Sequence, residues 1–243
     1  MSHDSRIDAM PVLPSPRCYA LVPCAGVGQR AGADGPKQYA RLAGSAVVAH
    51  TLAALAAVPR LAGTLVVLAR DDTRFESEAP TYEGWVGRCG GATRADTVRQ
   101  GLAALRVHGA ADTDWVLVHD AARCLLRPAW VERLIDACLD DPVGGLLALP
   151  LADTLKQEGQ GRDSGRVAAT VSRSGKWAAQ TPQMFRLGLL LRALDEAGAE
   201  VTDEASAIEG LGLSPRLVPG ELENIKLTWP ADFALAARLL ETR

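Results

Sequence analysis

The feature that most restricts this chain is a repeated change of hydrophobic period. Short, unbroken apolar runs at Tyr19–Pro23, Thr64–Ala69, Trp85–Cys89, Trp115–His119, Gly145–Pro150 and Arg216–Val218 alternate with stretches of helical spacing. Val48, Leu52 and Leu55 mark one helix face, Val98, Leu102 and Leu105 a second, and Val131, Leu134, Ile135, Cys138 and Leu139 a third. Leu187, Leu190, Leu191 and Leu194 mark a fourth, and Phe233, Ala237 and Leu240 a fifth. A strand that is apolar on both faces must be covered on both faces, which is the condition of a parallel sheet lying between helices. Strand–helix alternation therefore predicts an α/β fold of three layers with a mostly parallel sheet.

The 243 residues accommodate such a fold as one domain, expected over 18–243. Residues 1–17 carry Asp4, Asp8 and several prolines but no apolar h-region, so they read as a disordered tail rather than a targeting signal. No apolar run approaches the ~20 residues a bilayer requires. The 26 Lys and Arg against 29 Asp and Glu leave a net charge of −3, which argues against a general nucleic-acid binder but leaves room for a local basic pocket. Five cysteines, Cys18, Cys24, Cys89, Cys124 and Cys138, form no CxxC pair and are odd in number, the pattern of small buried thiols in a reducing, cytoplasmic compartment. His3, His50, His108 and His119 show no zinc-ligand spacing.

One region breaks the alternation. From Leu151 to Thr181 the chain is polar and carries Gly159, Gly161, Gly165 and Gly175. Asp153–Gln157 and Arg166–Ser172 are expected to pair as an extended β-arm around a glycine-rich turn, with Val167, Val171 and Trp177 as apolar anchors.

Two segments carry chemistry. The first strand runs into Cys24, Ala25, Gly26 and Gly28, then Arg30 and Lys37. Small residues at the C-terminal end of a strand let backbone N–H groups approach a phosphate, and the crevice outside that end is where open α/β sheets bind ligands. The run is neither a Walker A loop nor a dinucleotide fingerprint followed by a ribose-binding acid. Its paired glycines and two cations suit a triphosphate under attack. The second segment is Val116–Arg123, where Asp120 follows a buried strand directly and Arg123 follows it. An acid there holds a metal–phosphate unit or orients a sugar hydroxyl; a helix N-cap is the structural alternative.

Seven stretches of the chain now become diagnostic together. They are PCAGVGQR…GPKQY (Pro23–Tyr39), GGATRADTV (Gly90–Val98), VLVHDAAR (Val116–Arg123), ADTLK (Ala152–Lys156), TVSRSGKWAAQTPQMF (Thr170–Phe185), TDEASAIE (Thr202–Glu209) and NIKLTWPAD (Asn224–Asp232). From Tyr19 to its end the chain resembles the 2-C-methyl-D-erythritol 4-phosphate cytidylyltransferase family of the non-mevalonate isoprenoid pathway, which implies a Rossmann-like nucleotidyltransferase domain. The resemblance implies that Arg30 and Lys37 bind the CTP phosphates and stabilise the transition state, with Lys226 on the triphosphate. It assigns Cys24, Ala25, Gly26 and Ala121 to the nucleotide, and Gly91 and Thr97 to the cytosine edge. Asp120 then meets the ribose and the methylerythritol beside a Mg²⁺ held mainly by phosphate oxygens, while Arg123, Thr181 and Thr202 hold the polyol phosphate. Thr154 and Arg173, on the arm, reach the active site of the partner in a homodimer.

The chain departs from the family pattern at Cys24, Ala92, Ser172 and Cys124, and none of these removes a cation from the phosphate loop. Trp229 reads as a packing residue, and His119 as a packed or solvent-edge histidine rather than a base. A ribitol-5-phosphate cytidylyltransferase shares these loops and stays open beside the methylerythritol reading. An NAD-binding oxidoreductase built on the Gly26 loop, or a non-catalytic nucleotide-binding dimer, fits the lysine and arginines less well.

Overall fold

The computed structural model describes residues 15–26, 35–197 and 201–242. Most of the expected N-terminal tail, together with Gly28 and Arg30, lies outside them. Among the described residues the order is β1 (Cys18–Pro23), a short hairpin of β2 (Arg41–Leu42) and β3 (Ser45–Ala46), α1 (Val47–Ala56), β4 (Leu61–Val67), α2 (Phe75–Glu78), β5 (Trp85–Gly87) and α3 (Arg94–Val107). There follow β6 (Trp115–Val118), α4 (Pro128–Cys138), β7 (Gly144–Pro150), β8 (Leu155–Glu158), β9 (Val167–Val171) and β10 (Trp177–Arg186). The chain closes with α5 (Leu187–Glu196), α6 (Glu204–Gly210), β11 (Arg216–Pro219) and α7 (Pro230–Glu241).

The central sheet runs β11-β7-β10-β6-β1-β4-β5. Every pair of neighbours is parallel except those made by β10, which is antiparallel to both β6 and β7. Along β1, Ala20 and Val22 face one layer and Tyr19 and Leu21 the other. The first layer brings in Leu52 and Leu55 of α1 with Val131 and Leu134 of α4; the second brings in Val98 and Leu102 of α3 with Leu187 and Leu190 of α5. That double coverage is why the strands read as continuous apolar runs, and each fully buried Leu or Val contributes about 1.5–3 kcal/mol. The ends of two helices are written into the sequence. Thr93 caps α3 in a capping box with Asp96, and Asp203 caps α6 in the same way with Ser206.

Each of the six expected strands forms, as do all five expected helix faces. Five elements are additional: β2, β3, α2, α6 and β10. The last shortens the arm, which ends before Trp177 rather than at Thr181, because Trp177–Arg186 belongs to the central sheet. The arm itself is the β8–β9 hairpin, paired from Leu155 with Val171 to Glu158 with Val167. Two of its three expected anchors do not hold it to the rest of the fold: Val167 and Trp177 are exposed, while Val171 is half-buried. Trp229, read as packing, is likewise exposed at the start of α7. All five cysteines are free thiols. No helix among the described residues is long and apolar enough to cross a membrane.

Candidate active site

The parallel strands β1, β4, β5 and β6 all end at one edge of the sheet, and the loops there enclose a cleft of about 310 Å³. β1 delivers Cys24, Ala25 and Gly26, pinned by the Cys24 N–H to the Val67 carbonyl at 2.7 Å. The Gln38 amide donates to the carbonyls of both Cys24 (3.1 Å) and Gly26 (2.9 Å), tying the strand's exit to the short 3₁₀ turn Lys37–Tyr39. Lys37, on that turn, reaches across to the Leu227 carbonyl at 3.0 Å. Opposite stands the Gly90–Gly91 loop. A Cβ on Gly90 would strike Ala25 and the Leu68 carbonyl, and one on Gly91 would strike Asp96, so this wall closes only with glycines. The Gly91 N–H donates to Thr97 Oγ1 (3.1 Å), whose hydroxyl donates to the Thr93 carbonyl (2.9 Å).

A second chamber of about 190 Å³ adjoins the first, lined by Arg123, Thr181, Gln183 and Thr202. Arg94, Asp120 and Lys226 line both chambers and form the wall they share. Asp120 therefore sits at the junction. It caps no helix: β6 ends at Val118, and α4 begins only at Pro128.

Charge converges on this residue. Arg94 Nε donates to Asp120 Oδ1 at 2.9 Å and Lys226 Nζ to Oδ2 at 2.8 Å, with Arg123 Nε 3.8 Å from Oδ2. Arg94 also makes a bidentate pair with Glu204 at 2.6 and 3.1 Å, and Glu204 is almost fully buried. Burial of Asp120 opposes ionisation, but Arg94 and Lys226 outweigh it and hold the carboxyl well below the usual carboxylate range. The network is thus a pre-assembled cation cluster with its own internal anions. Burial pushes the Cys24 thiol up, so it meets the cleft as a neutral group.

The expected residues divide cleanly by position. Cys24, Ala25, Gly26, Lys37, Gly91, Thr97, Asp120, Ala121 and Lys226 line the larger chamber. Arg123, Thr181 and Thr202 line the smaller one. Thr154 and Arg173 line neither; both are exposed on the arm. Arg30 lies outside the described residues. His119 is fully buried beneath Asp120 and, with its imidazole pushed down to about 4 by burial, is neutral at pH 7. Arg94 and Glu204 had no role in the sequence reading. The signal was present in part, because a glutamate followed by Ala-Ser-Ala-Ile in a helix that buries Ala205 and Ile208 needs a cation. Which cation only the fold reveals.

A family profile described as 2-C-methyl-D-erythritol 4-phosphate cytidylyltransferase matches residues 18–242. A bifunctional enzyme IspD/IspF of Albidiferax ferrireducens is 62% identical over 230 residues, which are 94% of this chain and 54% of that protein, so this chain spans about half its length. A 2-C-methyl-D-erythritol 4-phosphate cytidylyltransferase of Laribacter hongkongensis is 60% identical over 228 residues, covering 92% of this chain and 96% of that one. Among solved structures, one of a 4-diphosphocytidyl-2C-methyl-D-erythritol synthase superposes with a TM-score of 0.83 at 42% identity, covering 94% of this chain and 100% of the other.

Proposed function

The chain belongs to the 2-C-methyl-D-erythritol 4-phosphate cytidylyltransferase family, and from that premise we infer that it transfers a cytidylyl group from CTP to 2-C-methyl-D-erythritol 4-phosphate. The products are 4-diphosphocytidyl-2-C-methyl-D-erythritol and pyrophosphate, in isoprenoid precursor synthesis. The observation that carries the reading is the pair of chambers joined at Asp120 and ringed by Lys37, Arg94, Arg123 and Lys226. A reaction between two phosphate-bearing substrates needs two seats with their anionic ends brought together, and this cleft has that form. The larger chamber suits the nucleotide, with Gly91 and Thr97 at the base and Cys24, Ala25, Gly26 and Ala121 along it. The smaller suits the polyol phosphate, with Arg123, Thr181 and Thr202 around it.

The attacking phosphate is a monoester whose second pKa lies near ~6, so it arrives ionised and needs no general base. The work left to the protein is alignment and neutralisation of the charge that gathers at the α-phosphorus, assigned to Lys37, Lys226 and Arg30. A divalent cation fits this site in one way. Asp120 is the only carboxylate among the described residues lining the larger chamber, and no group of three metal-ligating side chains occurs among them. Mg²⁺ would then take most of its ligands from phosphate oxygens and water, with Asp120 beside it, and supply charge neutralisation.

The arm supports assembly as a homodimer. A two-stranded hairpin is marginal in water by itself, and β8–β9 exposes almost every residue. Docked on a second copy, it would carry Thr154 and Arg173 to that copy's smaller chamber. Five free thiols and a chain without a membrane-spanning helix among its described residues suit the cytoplasm.

Pyrophosphate release tests the reading, with each nucleoside triphosphate offered in turn against methylerythritol 4-phosphate and ribitol 5-phosphate. Release from CTP with methylerythritol phosphate is expected, abolished by EDTA and restored by Mg²⁺. Preference for ribitol phosphate would reassign the polyol, and full turnover without metal would end the metal assignment.

A further inference from the structure

We propose that His119 is a positioning residue for the reaction: its imidazole, held as the Nε2–H tautomer, locks both ends of the turn from Asp120 to Arg123. The proposal rests on the cytidylyltransferase reading, and it concerns a side chain that touches neither chamber. His119 is fully buried, so no solvent competes for its ring nitrogens. Nδ1 lies 3.0 Å from Thr181 Oγ1, and Nε2 lies 3.2 Å from the Arg123 carbonyl. Thr181 Oγ1 in turn accepts the Asp120 N–H at 3.0 Å.

The directions of these bonds follow from the two termini. A backbone N–H only donates and a carbonyl only accepts. Asp120 therefore gives its proton to Thr181 Oγ1, the Thr181 hydroxyl gives its proton to Nδ1, and Nε2–H donates to the Arg123 carbonyl. The opposite tautomer would set the Nε2 lone pair against a carbonyl oxygen and turn the threonine hydroxyl away from its acceptor. One tautomer satisfies every group.

The Arg123 N–H to the Asp120 carbonyl closes the turn through its backbone, and other bonds hold it at single points: Thr51 Oγ1 to the Ala121 carbonyl and the Leu227 N–H to the Ala122 carbonyl. Beside that backbone bond and the 3.8 Å approach of Arg123 Nε to Asp120 Oδ2, the buried His119 ring adds a hydrogen-bonded tie from the first residue of the turn, through Thr181, to the last. Asp120 lines both chambers, and Arg123 only the smaller one. Asp120 gathers Arg94 and Lys226 on the shared wall, whereas the Arg123 guanidinium is fastened to the Asn224 carbonyl at 2.6 Å beside the smaller chamber. The imidazole thereby helps to fix the shared-wall anion relative to the polyol-phosphate cation, and hence the alignment of the two phosphates. It also gives Thr181 a second task, because its hydroxyl is spent on the turn.

Two substitutions divide the ring atom by atom. His119→Asn keeps an acceptor where Nδ1 stood and loses the bond to the Arg123 carbonyl. His119→Gln keeps a donor near Nε2 and loses Thr181. We expect His119→Asn to raise KM for the polyol phosphate about tenfold with little change in KM for CTP. We expect His119→Gln and Thr181→Val each to lower kcat on the order of 10- to 100-fold, the scale of a displaced reacting group. The double variant should cost no more than either alone, and Thr181→Ser should recover most of the loss of Thr181→Val. Losses that simply add, or Asn and Gln variants with the same kinetic profile, would overturn the proposal. A readout that does not depend on activity is the ¹⁵N spectrum of the histidine ring in the unsubstituted protein. A protonated Nε2 with a bare Nδ1 at neutral pH supports the lock; the other tautomer, or an even mixture, refutes it. If the protein released no pyrophosphate from CTP, the functional reading would fall while the ring spectrum still judged the lock.

Discussion

Two segments leave the same edge of the sheet and could hardly differ more. The turn after β6, His119 to Arg123, is buried throughout, and its hydrogen bonds go to α1, to β10 and to the segment before α7. The arm after β7 is exposed along nearly its whole length, and its side-chain bonds stay inside the hairpin, as in Lys156 with Thr170 and Ser164 with Glu158. The turn is ordered by its own core before any substrate arrives. The arm has geometry but no core, so whatever gives it a fixed place must come from outside this fold. The buried turn is placed by its own fold, whereas in the proposed homodimer the arm would be placed by docking.

The largest effect should come from breaking the buried side. Arg94→Met leaves Glu204 as an uncompensated buried charge, and the expected cost is about 3–5 kcal/mol in urea unfolding. Arg173→Met on the arm should change the same quantity by less than about 0.5 kcal/mol. Equal costs would erase the distinction.

Acid should separate the two regions as well. The folded pKa of His119 is pushed down to about 4 by burial, against an ordinary value of about 6.5, with Asp120 and Arg123 acting on it in opposite senses. Between these values the unfolded chain binds a proton that the folded one refuses. The contribution is therefore complete above about 6.5 and is lost as pH falls towards 4, a change on the order of 3 kcal/mol. His119→Asn should flatten that slope in a pH series of unfolding curves. A slope unchanged by the substitution would assign it elsewhere.

Next in size is the split that the proposed homodimer implies between own-site and partner-site residues. Lys37→Ala should lower kcat by about 10²-fold, the scale for losing one preorganised donor to a developing oxyanion. Arg173→Ala should be comparably inactive, through the other subunit. Mixed with subunit exchange, the two variants should regain activity, because in a twofold dimer one site collects both lesions and the other collects neither. A mixture as inactive as its parents, with exchange demonstrated, would return Arg173 to its own subunit. The smallest effect is expected for Lys156→Ala, whose bond to Thr170 is exposed: within about 0.5 kcal/mol by thermal unfolding.

Much of this was legible in the chain itself. The parallel strands announced themselves because a strand covered on both faces must be apolar on both, and the glycine loop and Asp120 because ligands gather where such strands end. β10 was not legible: Trp177-Ala-Ala-Gln-Thr carries the polar character of the arm before it, and only its neighbours β6 and β7 make it a central strand. The Arg94–Glu204 pair was hidden by its separation of 110 residues, since no local pattern says which buried acid a given arginine will meet.

By itself the sequence determined the layered architecture and the small-residue loop after the first strand, because hydrophobic period and turn chemistry act over a few neighbours at a time; most of the other cleft residues came from the family resemblance. The tertiary structure alone decided that Asp120 stands between two chambers, that Arg94 is strapped to Glu204, and that His119 faces both Thr181 and Arg123. Those are distances between elements far apart along the chain, and they come into being only when the sheet closes and brings the elements together.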